Sequence, residues 1–244
     1  MKIDISIIIA TYNSAQTIRT ALESVKNQTF DSWECIVVDG ASKDNTIDIV
    51  KEFVDLDSRF NYISEPDNGI YDAFNKGWEM ANGEWIYYLG SDDYLMPEGL
   101  NGLINSNHNA DIIYGDMIYE TGIKKKAKES ISEKYLMGNM PCHQSMIMKK
   151  TIIQKFHGFN MNRYKICADF DLFQRALRDG VRVNHVPIYV ACFNSMGASS
   201  GIKTYLKECY KIKKDNKGVL FAWNYIFRIT FKRIIKKYII LRFK

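Results

Sequence analysis

The chain has 244 residues, 46% hydrophobic and 25% charged, a balance typical of a globular protein with one full core. Its five cysteines are odd in number and scattered, so neither a disulfide framework nor a zinc site is expected, and a reducing, cytoplasmic setting is predicted. Eight basic residues and no acid follow Asn216, and removing those eight charges from the net +5 leaves −3 for the rest. The start, Met1-Lys2-Ile3-Asp4, has an acid where a signal peptide would have its apolar core, so export is not predicted.

The first third of the chain alternates short apolar runs with helical patterns. Runs typical of buried parallel strands occupy residues 5–10, 33–38 and 60–64. Helices are predicted to begin near Ser14, Ile47 and Ile70, where apolar side chains recur at threes and fours. Strands alternating with helices predict an α/β fold whose central sheet is mostly parallel, with helices on both faces.

A fourth apolar run, residues 85–89, stops at Gly90 and is followed by Ser91, Asp92 and Asp93. Ligands of open α/β sheets bind beyond the carboxyl ends of the strands. Adjacent acids at such a position can hold a divalent cation, with the phosphates of a substrate completing its shell. A solvated turn is the alternative, because Ser, Asp and Gly are ordinary turn formers.

Polar residues also follow the first two strands, at Thr11, Asn13 and Asp39. A carboxylate after the second strand is well placed to accept hydrogen bonds from a ribose or a base. The sequence contains neither Gly-x-Gly-x-x-Gly nor Gly-x-x-x-x-Gly-Lys, which argues against a dinucleotide dehydrogenase and a P-loop enzyme. A nucleotide whose diphosphate is held by a metal fits better.

Four ordered blocks, residues 8–13, 38–46, 65–77 and 90–93, resemble those of a family 2 glycosyltransferase of the GT-A fold. The resemblance extends through residues 142–144 and 168–172 and covers about the first 195 residues. Bacterial polysaccharide and lipid-linked sugar transferases are of this type. We therefore expect a catalytic domain over residues 1–200, with a nucleotide-binding half (1–93) and an acceptor-binding half (94–200), and a basic helical region over 201–244.

The resemblance implies roles for individual residues. Donor-binding roles fall on Thr11, Tyr12, Asn13, Asp39, Asp67, Gly69, Asp72, Asn75 and Asp92. Asp93 would bind Mn²⁺ or Mg²⁺, in a motif whose usual first aspartate is replaced here by Ser91. His143 matches a position near the donor diphosphate or the acceptor, although a lone histidine is more often structural.

Asp169 matches the catalytic base of the family. Asp171 lies about 200° further around a helix, so it cannot face the same ligand; it is assigned a supporting or capping role, or a contact with the acceptor or the diphosphate. Acids in the first turn of a helix also oppose the helix dipole, which is the structural alternative for both. Two closing strands are predicted at residues 181–186 and 188–193.

An amphipathic helix is predicted near the C-terminus. Its apolar stripe consists of Leu220, Trp223, Phe227, Phe231, Ile234, Tyr238 and Leu241, and basic residues occupy the other faces. The apolar runs are too short to span a bilayer. The helix either docks on the catalytic domain or lies in the interface of an anionic membrane, which its composition favours. Nucleic acid is not expected as a partner, because no reader module is recognisable.

Together these patterns predict a metal-dependent, inverting glycosyltransferase that moves a sugar from a nucleotide-diphosphate donor to a glycan or lipid-linked acceptor, with a UDP-sugar as the favoured donor. Its expected place is the cytoplasmic face of the plasma membrane, in polysaccharide biosynthesis. A nucleotidyltransferase is the nearest alternative, but it needs a basic, glycine-rich loop that residues 11–14 do not supply. A non-catalytic sugar-nucleotide binder at the membrane is the other.

Overall fold

One mixed sheet and the helices around it make up the computed structural model, which describes residues 2–106, 109–119, 121–122, 124–125, 139–194 and 202–242; for 124–125, 202 and 232–242 only the backbone is described. The nine strands found in these residues are β1 Ile5–Thr11, β2 Trp33–Asp39, β3 Phe60–Ser64, β4 Trp85–Gly90, β5 Tyr94–Leu95, β6 Ile112–Tyr119, β7 Lys124–Lys125, β8 Met146–Lys149 and β9 Val183–Phe193. The α-helices are α1 Ile18–Lys26, α2 Thr46–Leu56, α3 Ile70–Met80, α4 Gly99–Asn105, α5 Lys150–Lys155, α6 Ala168–Arg178, α7 Ile202–Lys217 and α8 Val219–Arg242, with a short 3₁₀ helix at His143–Ser145.

The sheet has the order β3-β2-β1-β4-β8-β6-β9-β5, and β7 pairs with β6. Strands β3, β2, β1 and β4 are parallel, so their carboxyl ends lie at one edge. The short β8 is antiparallel to both of its neighbours, and β6 and β9 are parallel to each other. The predicted α/β class, with helices around a largely parallel sheet, is confirmed.

Two apolar cores cover the two faces of the sheet, because successive side chains of a strand point to opposite sides. Ile8 and Tyr88 belong to the core that includes residues of α3 and α6. Ile7 and Tyr87 belong to the other core, which includes residues of α1, α2 and α4. Both faces of the central strands are therefore buried, which is why these strands are continuous apolar runs.

The prediction of two closing strands is wrong, because β9 runs unbroken through Pro187. The pairing with β6 shifts at this point. His185 pairs with Tyr114 and Tyr189 with Asp116, so β9 advances four residues where β6 advances two. Such an irregularity leaves extra residues of one strand outside the ladder. Pro187 lies in it, where its missing N–H is not needed for pairing.

The C-terminal helices differ in how they pack. Helix α7 belongs to the core, since Glu208, Cys209, Ile212 and Lys213 are all buried. A domain boundary at residue 200 would therefore cut through packed contacts. Among the described residues, none of the helices combines the length and the hydropathy that crossing a bilayer requires.

Helix α8 turns its apolar stripe outward. Ala222 is fully buried, on a side of the helix away from the stripe. The described members of the stripe are exposed, with fractions of 87% for Leu220, 61% for Trp223, 68% for Phe227 and 52% for Phe231. The stripe therefore does not dock on the catalytic domain over residues 220–231; the side chains of Ile234, Tyr238 and Leu241 lie outside the described residues.

Candidate active site

The loop after β1 is tied to the loop after β2. Asn13 has a φ of 51°, a left-handed conformation that asparagine tolerates better than most residues. Its backbone N–H donates to Ser42 Oγ (2.8 Å), and its Oδ1 accepts from the backbone N–H of Lys43 (2.8 Å). Tyr12 is exposed, whereas Thr11 is buried and its hydroxyl has no hydrogen-bond partner among the described residues.

Asp39 lies at the end of β2 and is fully buried. Its Oδ2 accepts from the backbone N–H of Ser42 (2.9 Å) and from Ser64 Oγ (2.7 Å), and its Oδ1 accepts from the hydroxyl of Ser42. These hydrogen bonds replace the hydrogen bonds to water that the buried carboxylate has lost. Asp39 therefore connects the end of β2 with the end of β3 and with the loop that contains Ser42.

The predicted donor residues after β3 form a compact turn. Asp67 Oδ1 accepts from the backbone N–H of Gly69 (2.8 Å). Its other oxygen lies against Gly40, where a Cβ would come within 2.7 Å of it. Gly69 has a φ of 110°, which residues with a side chain rarely adopt. Asp72 Oδ2 accepts from the backbone N–H of Asn68 (2.8 Å).

Asp92 and Asp93 lie close over Gly90 at the end of β4. A Cβ on Gly90 would be 2.5 Å from Asp93 Oδ2 and 3.0 Å from Asp92 Oδ1, so any other residue here would displace the carboxylates from this arrangement. Asp93 is 2% exposed, and its Oδ1 accepts from the backbone N–H of Asn194 (2.8 Å). Burial raises the pKa of Asp93 to about 7, against the Asn194 hydrogen bond, and the nearby Asp92 adds to the rise.

The chemistry of the carboxylates of Asp92 and Asp93 is suited to binding a divalent cation. A buried carboxylate with a raised pKa gains stability when a cation compensates its charge. Within the described residues, no three or more His, Cys, Asp or Glu side chains cluster to hold a metal. Asp93 would therefore hold the ion together with ligands from elsewhere, and Mg²⁺ commonly takes substrate phosphates in that role.

Asp169 lies in the first turn of α6, where it contacts Tyr71 of α3 and His143 of the 3₁₀ helix. Tyr71 Oη is 2.8 Å from Asp169 Oδ1, and the backbone N–H of Phe170 also donates to Oδ1 (2.8 Å). His143 Nδ1 is 3.8 Å from Oδ2, beyond hydrogen-bond distance. Two residues predicted separately, Asp169 and His143, thus lie side by side.

An apolar, aromatic environment surrounds this pair. The ring of His143 packs against Tyr88, Phe74 and Phe159, with centroids 5.0, 5.8 and 6.0 Å away. Burial lowers the pKa of His143, although the charge of Asp169 opposes the shift. The imidazole is therefore neutral at physiological pH. A small cavity borders both side chains, with three methionines, Met140, Met146 and Met148, in its lining.

Asp171 and Asn75 have other partners. Asp171 Oδ2 accepts from Arg175 Nε (2.7 Å), and Arg175 also donates to the carbonyls of Phe156 and Gly158. Asn75 bonds both backbone groups of Phe159 (2.9 Å each). Both side chains therefore brace the turn at residues 156–159, which carries the ring of Phe159 against His143. The structure does not bring them to Asp93 or Asp169.

Three residues with a part in this site were not predicted. Tyr71 contacts Asp169, the backbone of Asn194 contacts Asp93, and Glu208 accepts the backbone N–H groups of residues 165–167 at 2.9–3.0 Å. Tyr71 stands inside the predicted donor segment, so the motif gave a signal for its position though not its role. Glu208 is one of two acids, with Asp215, in a helix otherwise rich in lysine, which is a weak signal.

Comparisons with known proteins define the class. A profile of Glycosyl transferase family 2 matches residues 6–169. The chain is 30% identical over 212 residues to a PGL/p-HBAD biosynthesis glycosyltransferase of Mycobacterium bovis (strain BCG / Pasteur 1173P2), covering 83% of this chain and 82% of that one. The chain therefore belongs to glycosyltransferase family 2 and is a glycosyltransferase, as the sequence motifs predicted.

More distant similarities support the same fold. The chain is 26% identical to the poly(ribitol-phosphate) beta-N-acetylglucosaminyltransferase TarP of Staphylococcus aureus (strain N315), over 72% of this chain and 54% of TarP. It superposes on S. aureus TarS 1-349 in complex with UDP-GlcNAc with a TM-score of 0.72 at 19% identity, covering 86% of this chain and 64% of TarS 1-349. The mannosyltransferase PcManGT of Pyrobaculum calidifontis, in complex with GDP-Man and Mn²⁺, gives a TM-score of 0.66 at 15% identity, over 93% and 65%. The predicted GT-A fold is confirmed.

Proposed function

We propose that this enzyme transfers a sugar from a UDP-sugar to a hydroxyl of a glycan or lipid-linked acceptor in cell-surface polysaccharide biosynthesis, with inversion at the anomeric carbon. The observation that carries the proposal is the state of the Asp169 carboxylate. Oδ1 is held by Tyr71 and by the backbone N–H of Phe170, whereas Oδ2 has no hydrogen bond from the described residues. An anchored carboxylate with one open oxygen is suited to act as a general base.

Asp169 would take the proton of the acceptor hydroxyl as its oxygen attacks the anomeric carbon. Because the attack comes from the face opposite the leaving diphosphate, one displacement inverts that carbon, and no covalent enzyme intermediate is needed. The neutral His143 beside Asp169 leaves the carboxylate without a competing cation. A carboxylate that is not paired with a cation is the better proton acceptor.

The donor would bind along the ends of β1, β2, β3 and β4. Seven of the predicted donor residues come from these strand ends and the turns that follow them: Thr11, Tyr12, Asn13, Asp39, Asp67, Gly69 and Asp92. Another, Asp72, lies in the first turn of α3. Asp93 would hold Mn²⁺ or Mg²⁺, and the bound cation would offset the charge that develops on the departing diphosphate. Support for the donor class comes from the fold shared with TarS, solved with UDP-GlcNAc, and for the metal from PcManGT, solved with Mn²⁺.

Support for the acceptor class comes from the relatives. They include proteins named for PGL/p-HBAD biosynthesis and for poly(ribitol-phosphate) modification. The TarP name gives a polymeric acceptor, poly(ribitol-phosphate). The exposed apolar stripe of α8 supports an acceptor at a membrane, such as a lipid-linked one.

The test begins with a panel of nucleotide sugars, screened for thermal stabilisation with and without Mn²⁺. A donor at 100 times its Kd should add about 2.7 kcal/mol of stability. Release of UDP is then measured with acceptor present. Asp169→Asn should keep donor binding and lower turnover by roughly 10²–10⁴-fold, the scale for losing a positioned base. Asp179→Asn, at the other end of α6, is the matched control, and full turnover in Asp169→Asn would overturn the assignment.

We also propose that α8 attaches the enzyme to an anionic membrane surface, at the inner face of the plasma membrane. The apolar stripe of α8 faces solvent at its described members, Leu220, Trp223, Phe227 and Phe231. Burying a large apolar side chain contributes about 1.5–3 kcal/mol. The basic residues of the same helix add about 1 kcal/mol each near anionic lipid, screened by salt.

Sedimentation with anionic vesicles tests the attachment. The wild-type chain should pellet at low salt and be partly released at high salt. The double variant Phe227→Ser, Phe231→Ser should stay in the supernatant and keep its thermal midpoint, because both rings are exposed. Asn224→Ser and Thr230→Ser, at exposed polar positions that flank the stripe, remove no large apolar side chain and should pellet like the wild type. Pelleting of the double variant at the wild-type level would show that contact with the membrane lies elsewhere.

A further inference from the structure

The side chain that fixes the proposed base belongs to a different part of the chain, 98 residues away. Tyr71 stands in the first turn of α3 and is 7% exposed. Its Oη is 2.8 Å from Asp169 Oδ1 and 2.6 Å from the carbonyl oxygen of Ile166. Both partners stand at the start of α6, so one hydroxyl spans the segment that carries Asp169.

The number of protons at this hydroxyl limits what it can do. A tyrosine hydroxyl has a single proton, and a backbone carbonyl can only accept. The proton of Tyr71 is therefore shared between the Ile166 carbonyl and the Asp169 carboxylate. Burial and the charge of Asp169 raise the pKa of Tyr71 well above its usual value, so the proton stays on the phenol. A shared proton holds Oδ1 in place without giving the carboxylate a full-strength donor, which would reduce its basicity.

The hydroxyl of Tyr71 is itself held in place from both sides. Its ring stacks on Phe159, with centroids 5.3 Å apart and an angle of 29°, and contacts the edge of Phe74. The backbone of Ile166 is held by Glu208, whose Oε2 accepts the N–H of Ile166 at 3.0 Å. The ring and the carbonyl are therefore each held by partners other than the Asp169 side chain. A rigid support of this kind presents a reacting group in one orientation.

We propose that Tyr71 is the positioning residue of the base: its hydroxyl fixes Asp169 Oδ1 and thereby presents Oδ2 to the acceptor hydroxyl. The inference rests on the proposed function of Asp169 and adds the reason why only one of its oxygens reacts. Tyr71 does not touch the reacting atoms in this arrangement, so it acts through Asp169 alone. Loss of its hydroxyl should therefore slow the chemical step and leave donor binding unchanged.

Tyr71→Phe tests the proposal, because it removes the hydroxyl and keeps the ring. We expect kcat to fall by about 10–100-fold, the range for losing a hydrogen bond to a charged group, with the donor KM unchanged. Tyr164→Phe is the matched control. Tyr164 is 1% exposed, and its hydroxyl has no hydrogen-bond partner among the described residues, so this variant should keep wild-type kcat.

A double-mutant cycle separates positioning from a general structural role. In the Asp169→Asn background, Tyr71→Phe should cause no further loss in single-turnover rate, because the group it positions is already gone. A wild-type kcat in Tyr71→Phe, or equal losses in both backgrounds, would overturn the inference. The thermal midpoint of each variant is measured with and without donor. If Tyr71→Phe has a lower midpoint and is no longer stabilised by the donor, its role is structural, and the inference is also overturned. If the wild type itself releases no UDP with any acceptor, the proposed function fails instead.

Discussion

Asp93→Asn should stabilise the cation-free protein at alkaline pH while abolishing cation-dependent donor binding. Burial raises the pKa of Asp93 from its ordinary 3.8 to about 7. Between about pH 4 and pH 7, the folded protein therefore holds a proton at Asp93 that the unfolded chain has released. Stability must fall as the pH rises through this window, because the unfolded state binds fewer protons than the folded state. Asparagine has the same shape and no charge, so it removes the penalty.

The size of the effect follows from the shift in pKa. At 1.36 kcal/mol for each unit, Asp93 lowers the stability by roughly 4 kcal/mol at pH 8, where the buried group is ionised. At pH 5 the folded protein takes up a proton at Asp93 instead, and the loss of stability is only about 1–2 kcal/mol. The amide of asparagine must find partners in the same pocket, which subtracts about 1 kcal/mol or more. That cost is the same at both pH values. The difference between pH 5 and pH 8, about 2–3 kcal/mol, is therefore the decisive quantity.

Urea unfolding in the presence of a chelator measures this difference. Wild type, Asp93→Asn and Asp55→Asn are compared at pH 5 and pH 8; Asp55 is exposed on α2 and serves as the control. Replacing the chelator with Mn²⁺ and UDP at pH 8 should raise the stability of the wild type and leave Asp93→Asn unchanged, because a ligand that binds only the folded state stabilises it. If wild type and Asp93→Asn lose stability equally between pH 5 and pH 8, Asp93 is not the buried acid described above.

Three further substitutions follow from the site. Gly90→Ala places a methyl group 2.5 Å from Asp93 Oδ2, so the carboxylates must move, and a Mn²⁺ titration of donor binding should show an affinity at least ~10-fold weaker in a folded protein. Glu208→Gln weakens three hydrogen bonds to backbone N–H groups and should lower the urea stability by about 2 kcal/mol, together with kcat; unchanged values of both would contradict its role. Ser42→Ala removes the hydroxyl between Asn13 and Asp39, so the donor KM should rise about 10-fold with kcat nearly constant, whereas a loss confined to kcat would contradict the donor site.

The part of the fold that sequence predicts best is the parallel half of the sheet. Strand β3 occupies the predicted residues 60–64, and α3 begins at the predicted Ile70. The central strands β1, β2 and β4 of this half are buried on both faces, so their apolar runs are continuous and their ends are marked by polar residues. The closing strand was predicted less well, because the structure absorbs Pro187 in an irregularity that depends on the register of β6.

The candidate site could be predicted only as separate pieces. The motifs indicate which residues carry charge at strand and helix ends, yet they contain no information on which pieces meet. Asp169 and His143 meet because α6 packs against the core beside the 3₁₀ helix, a tertiary contact. Asn75 stands in a donor motif, but its amide bonds the backbone of Phe159. A polar residue in a motif can therefore serve the scaffold around a site.

The hydrogen bonds between Glu208 and the backbone of residues 165–167 limit where this enzyme can be divided into parts. Helix α7 supplies the acceptor for the backbone N–H groups just ahead of Asp169, so it is inseparable from the catalytic unit. The following helix contacts the core through Ala222 and Tyr225 at its start, and its apolar stripe faces solvent. We expect that a chimera can exchange everything after Ile226 for another anchor, or for none, and remain an active transferase. An exchange made at residue 200 would remove the support of the proposed base along with the anchor.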